Sequence, residues 1–110
     1  MLCKDGTIFT GCNIENAAYG PTNCAERTAI FKAVSEGYRE FQVIAIISDS
    51  KELTSPCGVC RQVMAEFCEP DFEVIMLSCD GKYKAVTLEE LLPYAFSLTE
   101  EQLATAPELS

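Results

Sequence analysis

The sequence predicts an α/β protein with a layered sheet, and three observations support this class. Two apolar runs, at 42–48 and 72–78, have the length and β-branched content of buried strands. Apolar residues recur at helical spacing before the first run and between the two runs. A chain of 110 residues without repeats or a linker is expected to form one domain with its own core. Strands that alternate with helices in such a domain are typical of α/β folds.

The first elements are a hairpin and a loop. Residues 1–4 have the composition of a short strand, and Asp5-Gly6 is a turn signal. Residues 7–12 alternate as a returning strand would. The loop over 13–22 is polar and rich in small residues. We therefore expect the chain to fold back on itself before its first helix.

Two helices follow, each opened by a capping residue. The first is expected over 23–36, with Asn23 as its N-cap, and it leads into the strand at 42–48. The second is expected over 57–68, because Ser55-Pro56 supplies an N-cap and a proline at the first helical position. Both helices therefore begin beside a cysteine.

The last third of the chain completes the sheet. The strand at 72–78 is followed by an expected edge strand at 82–86 and a short capped helix at 87–92. We expect the domain to span 1–97, and we expect the acidic tail at 98–110 to be exposed.

Composition and charge exclude several classes of function. The net charge is −9 and the eight Lys and Arg residues are dispersed, which argues against nucleic-acid and membrane partners. Because the chain has no histidine, a carboxylate is the expected acid–base group near neutral pH. There is no apolar run of 18 residues and no signal-like leader, and seven cysteines do not make a complete disulfide set. We therefore expect a cytoplasmic protein with reduced cysteines.

Three cysteines and one glutamate form the most informative pattern. Cys24 and the pair Cys57 and Cys60 lie at the predicted starts of helices, where the helix dipole favours thiolates. Three protein ligands leave one position of a tetrahedral zinc open, as a catalytic site requires. Glu26 lies two residues from Cys24, so on an ideal helix it points away from that ligand and is placed to move protons beside the metal.

Each of these residues also has a simpler interpretation. The C-x-x-C spacing of Cys57 and Cys60 suits two buried cysteines or a redox pair, and Glu26 at the third helical position suits backbone capping. Arg27 either donates to the thiolates and offsets their charge or is an ordinary surface arginine. A closed structural zinc site would need a fourth thiolate. The remaining cysteines, none in a second C-x-x-C pair, are candidates for it: Cys3, Cys12, Cys68 and Cys79.

Four blocks of sequence resemble the cytidine deaminases, in particular the small homotetrameric class with three cysteine ligands. They are Gly11-Cys12-Asn13-Ile14-Glu15-Asn16-Ala17-Ala18-Tyr19, Asn23-Cys24-Ala25-Glu26-Arg27-Thr28-Ala29, Ser55-Pro56-Cys57-Gly58-Val59-Cys60-Arg61-Gln62 and Leu91-Leu92-Pro93-Tyr94-Ala95-Phe96. The likeness extends from about residue 5 to residue 97 with the spacing of that family. It implies a three-layer αβα sandwich with a mixed sheet.

The resemblance implies a zinc site at matching positions. Cys24, Cys57 and Cys60 would bind Zn²⁺, and Glu26 would be the catalytic proton shuttle. Arg27 would contact the thiolates.

The resemblance also implies substrate-binding residues. Asn13 and Glu15 would hydrogen-bond the ribose hydroxyls, and the Ala25 backbone N–H would hold the pyrimidine carbonyl. Tyr19 and Phe96 match positions that reach into a neighbouring subunit's site, so a homotetramer is implied. Taken alone, Asn13 and Glu15 are loop polar residues, and the two aromatic residues would anchor a loop and the chain end.

The implied reaction is zinc-dependent hydrolysis of cytidine and deoxycytidine to uridine and deoxyuridine with release of ammonia, a step of pyrimidine salvage. The loop over 13–22 has no Lys or Arg for a 5′-phosphate, which favours a free nucleoside over deoxycytidylate. Three alternatives stay open: a related enzyme such as blasticidin S deaminase, an inactive zinc-stabilised subunit, and a structural zinc module. The intact Glu26 favours an enzyme over the structural module.

The resemblance is incomplete at the beginning of the chain. Members of the class usually open with a helix and most of a first strand, including an aromatic residue near the sugar, before the turn that Asp5-Gly6 matches. Here Met1 lies four residues before that turn. We therefore expect one face of the sheet to be exposed, at a cost to stability, tetramer formation and sugar affinity.

Overall fold

A computed structural model of the chain describes residues 1–96; residue 97 and the predicted tail at 98–110 lie outside the described residues. Across this range the sheet has four strands, ordered β1 (Leu2–Cys3), β2 (Phe41–Ile46), β3 (Glu73–Leu77) and β4 (Tyr83–Thr87). The central pair, β2 and β3, is parallel, and both edge strands pair antiparallel to their neighbours. The predicted α/β fold with a mixed sheet is confirmed.

The helices of the described residues are α1 (Ala25–Ser35), α2 (Gly58–Phe67) and α3 (Leu88–Leu91). The helix α2 is the crossover between the parallel strands, so its N-terminus follows the carboxyl end of β2. It contacts both α1 and α3, and α3 also contacts β4. Within residues 1–96, none of the helices is long and apolar enough to span a bilayer.

The core lies between one face of the sheet and the two longer helices. Ile44 and Val74 from the sheet are buried together with Ile30, Ala33 and Met64 from the helices. Burial of an aliphatic side chain larger than alanine stabilises the folded state by roughly 1.5–3 kcal/mol. This shared core therefore holds α1 and α2 at a fixed separation.

The opposite face of the sheet is apolar and only partly covered. Tyr83 in β4 is 72% exposed, and Ile47 just beyond β2 is 64% exposed. The same face carries alternate residues of the three longer strands: Val43, Ala45, Ile75, Leu77 and Ala85. In the described part of the chain, one sheet face is thus exposed, as expected.

The predicted returning strand at 7–12 is wrong. Only Ile8 forms a bridge, to Leu2, across a turn in which Gly6 has a φ of +92°. The pairing ends with hydrogen bonds between Phe9 and Met1, and Gly11 then packs against α1. A Cβ atom at Gly11 would lie 2.3 Å from the Ala25 carbonyl oxygen.

The predicted N-caps, Asn23 and Ser55, are also wrong, because both longer helices begin one or two residues later. The N-cap is Cys24 in α1 and Cys57 in α2. The backbone of Asn23 is held in a bridge with Ile14, and its side-chain amide donates to Thr28 Oγ1 at 3.0 Å. Pairing with a distant segment therefore overrides the local capping preference of asparagine.

Candidate active site

Three thiols meet where α1 and α2 begin. Cys24 Sγ lies 3.7 Å from Cys57 Sγ, and Cys57 Sγ lies 3.2 Å from Cys60 Sγ. All three sulfur atoms lie within 4.8 Å of one another. The two helix N-termini therefore converge in the structure.

The geometry and chemistry of this cluster suit zinc. For a Zn–S bond of about 2.3 Å, the sulfur–sulfur edge of a tetrahedral site is roughly 3.8 Å. The separation of Cys24 and Cys57 is close to this value, and soft thiolates select zinc over hard cations. Among the described residues the cluster has no fourth thiol, and the cysteines outside it are all free. A three-thiolate site leaves a coordination position for chemistry.

Arg27 contacts the cluster from the first turn of α1. Its Nη2 donates to Cys24 Sγ at 3.5 Å and to the Thr22 carbonyl at 3.3 Å. Its buried Nε has no hydrogen-bond partner among the described residues. The hydrogen bond to Cys24 raises the pKa of the guanidinium above its ordinary value. This permanent positive charge suits a zinc site with three thiolates, because such a site carries net negative charge.

The two thiols of α2 differ in their tendency to ionise. Burial opposes the charge of Cys57, but hydrogen bonds from the backbone N–H and thiol of Cys60 lower the pKa of Cys57 below its ordinary value. Burial, followed by the neighbouring thiol and the carboxyl group of Glu26, raises the pKa of Cys60. Cys60 therefore ionises readily only when a cation joins the cluster.

Glu26 stands between the cluster and a small cleft. It is half-buried in the first turn of α1, two residues after Cys24, and its carboxyl group contributes to the raised pKa of Cys60. With Cys24 as N-cap, Glu26 is the second helical residue rather than the predicted third, and the N-cap makes no side-chain hydrogen bond. It also lines a cleft of about 190 Å³ with Ala25, Phe9 and other residues. The carboxylate is therefore close in the chain to a cluster thiol and lines a ligand-sized space.

The loop before α1 lies against the helix N-terminus. Ile14 and Asn23 exchange backbone hydrogen bonds of 2.7 and 2.8 Å, which holds the neighbouring residues of the loop beside the cluster. Asn13 Oδ1 accepts a 2.8 Å hydrogen bond from the Ala25 backbone N–H. Two groups expected to bind substrate are therefore adjacent and bound to each other, and Glu15 lies exposed in the same loop.

Tyr19 and Phe96 are not brought to the cluster within this chain. Tyr19 is 85% exposed and Phe96 is 70% exposed, and neither lines the cleft beside Glu26. The Phe96 carbonyl accepts a hydrogen bond from the side chain of Gln62. Both aromatic side chains are thus exposed and lie outside the cleft that the same chain forms.

Gly11 and Thr28 support the site without having been predicted to do so. Beyond its contact with Ala25, a Cβ atom at Gly11 would lie 2.7 Å from the Ala29 backbone nitrogen. Thr28 Oγ1 donates to the Cys12 carbonyl at 3.0 Å. These contacts hold the loop against α1. A glycine without a turn signal around it was the available clue to such a close approach.

Comparison with known proteins identifies the family. The family model for the cytidine and deoxycytidylate deaminase zinc-binding region matches residues 1–76. The chain belongs to the cytidine and deoxycytidylate deaminase family. Zinc is the cofactor that this assignment and the cluster of three cysteines support together.

Individual deaminases agree with this assignment over most of their length. The chain is 52% identical to a cytidine deaminase of Sporosarcina psychrophila, over 98% of the chain and 78% of that protein. It is 54% identical to one of Halalkalibacterium halodurans, over 88% of the chain and 74% of that protein.

Solved structures of deaminases share the fold. A cytidine deaminase from Burkholderia pseudomallei matches with a TM-score of 0.84 and 46% identity, over 86% of the chain and 76% of that protein. One from Mycobacterium tuberculosis matches with a TM-score of 0.70 and 35% identity, over 88% and 75%. The family assignment thus rests on sequence and fold together.

Proposed function

We propose that the protein is a zinc-dependent hydrolase that deaminates cytidine and deoxycytidine to uridine and deoxyuridine, with release of ammonia. The relatives described above are cytidine deaminases. The observation that carries the proposal is the position of Glu26, a half-buried carboxylate that lines a cleft at the start of α1, where the three thiols meet. A purely structural zinc site has no use for such a carboxylate.

In this proposal Cys24, Cys57 and Cys60 hold the zinc ion. Zinc supplies a Lewis acid that lowers the pKa of water at the site. Glu26 accepts a proton from the attacking water and transfers it to N3 of the cytosine ring as C4 is attacked. The carboxylate then passes the second proton to the 4-amino group, which leaves as ammonia. Water and cytidine are consumed and uridine and ammonia are formed, so atoms balance without a redox partner.

Arg27 is proposed to moderate the negative charge of the three thiolates. Three thiolates and Zn²⁺ carry a net charge of about −1, which weakens the metal as a Lewis acid. A guanidinium that donates to Cys24 Sγ withdraws part of that charge. The role of Arg27 is therefore electronic as well as structural.

Substrate binding is proposed to involve the loop that lies against α1. The Ala25 backbone N–H would hold the pyrimidine carbonyl, and Asn13 and Glu15 would bind the ribose hydroxyls. Ala25 lines the same cleft as Glu26, and its N–H donates to Asn13, which supports this assignment. The loop over 13–22 contains no Lys or Arg, which supports a free nucleoside rather than a nucleotide.

A homotetramer is proposed, with Tyr19 and Phe96 completing the sites of neighbouring subunits. Their exposure supports this role, and Tyr19 also has a φ of +61°, an unfavourable backbone region for a bulky residue.

We further propose a domain spanning 1–97 followed by the tail 98–110. The seven free cysteines support a reducing compartment, and so a cytoplasmic location.

The test is a Glu26→Gln variant, assayed for bound zinc and for the loss of absorbance that accompanies cytidine deamination. Because glutamine keeps the shape but cannot accept a proton, we expect zinc to be retained and turnover to fall by about 10²- to 10⁴-fold. Glu36→Gln is the matched control, since Glu36 is exposed at the opposite end of α1. Its turnover should equal that of the unmodified protein.

Near-normal turnover of the Glu26→Gln protein would refute the assignment of the proton shuttle. If the unmodified, zinc-loaded chain itself turned over neither cytidine nor deoxycytidine, the chain would instead be an inactive zinc-stabilised subunit.

A further inference from the structure

Arg61 links three parts of the fold through its guanidinium group. It lies in the first turn of α2, immediately after Cys60. Its Nε donates to the Pro56 carbonyl and its Nη1 donates to the Leu91 carbonyl, both at 2.9 Å. Its Nη2 lies 3.5 Å from Ser55 Oγ. One planar side chain thus binds the loop before α2 and the end of α3.

The acceptors of Arg61 are neutral, although it is a charged residue. In residues 1–96, no carboxylate lies within ion-pair distance of its guanidinium. The Leu91 carbonyl is at the C-terminus of α3, where carbonyl groups lack helical partners and a cation is favoured. The Pro56 carbonyl belongs to the residue that precedes Cys57. Arg61 therefore fixes the peptide that sets the direction of a metal-binding thiol.

The neighbouring residue extends the same link. Gln62 Nε2 donates to the Phe96 carbonyl at 3.1 Å. The segment 91–96 is thus held at its beginning by Arg61 and at its end by Gln62, and both residues belong to the helix that presents Cys57 and Cys60.

We propose that Arg61 is a positioning residue that couples zinc binding to the placement of segment 91–96. The inference rests on the zinc site of the proposed function and not on turnover. When zinc fixes the thiols of α2, the Pro56 carbonyl is fixed for Arg61, and the same guanidinium holds Leu91. Such coupling is reciprocal. If holding the segment raises zinc affinity by a given factor, zinc binding raises the ratio of held to released segment by the same factor.

The experiment compares Arg61→Gln, Arg61→Lys and Gln62→Ala in the full chain. Zinc affinity is measured by competition with a chelator, and the geometry of the thiolate site by the absorption spectrum of the Co²⁺-substituted protein. Placement of the segment is measured as the rate of chymotrypsin cleavage after Tyr94, with and without zinc. Cleavage after the exposed Tyr83 in β4 reports general loosening.

We expect Arg61→Gln to lower zinc affinity about tenfold, to alter the Co²⁺ spectrum, and to abolish the protection of Tyr94 by zinc. Arg61→Lys should lose most of the affinity as well, because one ammonium group cannot reach both carbonyls. Gln62→Ala should accelerate cleavage after Tyr94 while leaving zinc affinity within about twofold, since its side-chain hydrogen bond goes to Phe96 and not to the peptide before Cys57.

Arg39→Gln is the matched control for the loss of an arginine. Arg39 also donates to two carbonyls, those of Val34 and Tyr38, but at the opposite end of α1 from the thiols. Its loss should leave both zinc affinity and the Co²⁺ spectrum unchanged. Unchanged zinc affinity in Arg61→Gln, or full affinity in Arg61→Lys, would overturn the proposal even if deamination itself is confirmed.

Discussion

The N-termini of α1 and α2 face the same cluster, yet they are stabilised in opposite ways. In α2 the N-cap Cys57 caps its own helix, since its sulfur accepts from the Cys60 backbone N–H at 3.4 Å. In α1 the N-cap Cys24 makes no side-chain capping bond. The first N–H of α1, from Ala25, is instead bound by Asn13 from a loop.

This difference divides the site into two parts: thiols whose positions are fixed by α2, and a hydrogen bond at the start of α1 that a ligand can replace. Cys57 is the N-cap of α2 and Cys60 lies in its first turn, while Arg61 binds the Pro56 carbonyl just before them. The positions of these two thiols therefore follow from the helix itself. The groups at the start of α1 are held by a loop side chain that a ligand could replace. In the proposed function, the three thiols would keep the metal while a substrate replaces Asn13 at the Ala25 N–H.

The largest effect is expected from removal of the two N-cap thiols. Cys24→Ala and Cys57→Ala should each abolish stable zinc binding and turnover, because two thiolates remain. In zinc-free protein the two variants should differ: Cys57→Ala also loses a helix cap and about 1 kcal/mol of unfolding free energy, whereas Cys24→Ala loses no cap. Urea unfolding of the zinc-free variants measures this difference.

Cys57→Ser provides the control for the cap. Serine caps a helix well but is a poor zinc ligand, so this variant should keep the stability of the zinc-free protein and still lose the metal. Equal destabilisation by Cys24→Ala and Cys57→Ala would show that the two N-cap side chains stabilise their helices equally, contrary to this prediction.

A smaller effect is expected from adding one methyl group at the start of α1. Gly11→Ala would place a Cβ 2.3 Å from the Ala25 carbonyl oxygen, so the loop must move away from the helix. We expect a loss of about 1–3 kcal/mol in unfolding free energy and weaker substrate binding, since Ala25 and Asn13 separate. Denaturant unfolding and the KM for cytidine measure the two effects.

Gly58→Ala is the equivalent change at the start of α2. A Cβ atom there meets nothing within 4 Å, and alanine is the better helix former. This variant should be as stable as the unmodified protein or slightly more stable. A similar loss from both glycine substitutions would show that α1 is not more sensitive to crowding than α2.

The smallest effect concerns the cysteine at the far end of α2. Burial, with a contribution from Glu69, raises the pKa of Cys68 to about 12 from the ordinary 9.0, so the folded state favours the protonated thiol. The stability that this provides is complete below pH 9 and is lost as pH rises toward 12. We expect about 1 kcal/mol of this loss between pH 8.5 and pH 10.

Comparison with a Cys68→Ala variant isolates this contribution, because the other titrating groups are common to both proteins. Urea unfolding across this pH range should show a steeper decline for the unmodified chain. Parallel declines would mean that the Cys68 thiol titrates normally in the folded state.

The sequence predicted the elements of this site better than their connections. Cysteine positions at the starts of two helices, together with the resemblance to the cytidine deaminases, led us to expect Cys24 beside the C-x-x-C pair, and the structure brings the three thiols together. The cap of α1 was misassigned because Asn23 pairs with Ile14, a partner that local rules do not identify. The cap of α2 was misassigned because Cys57 itself accepts from the Cys60 N–H. The link between Arg61 and Leu91 spans 30 residues and depends on where α3 ends, so no local pattern encodes it.

The hydrogen bond between Asn13 and Ala25 has a thermodynamic consequence for binding. A ligand carbonyl that accepts from the Ala25 N–H must first displace the asparagine side chain, so one hydrogen bond is exchanged for another. The net enthalpy of that contact is therefore small, and affinity has to come from the partners that the released amide finds on the ligand. Calorimetry would measure the displacement of Asn13 and its new hydrogen bonds as one coupled event. A pyrimidine base without a sugar would gain little binding enthalpy, because it frees Asn13 but offers it no hydroxyl group.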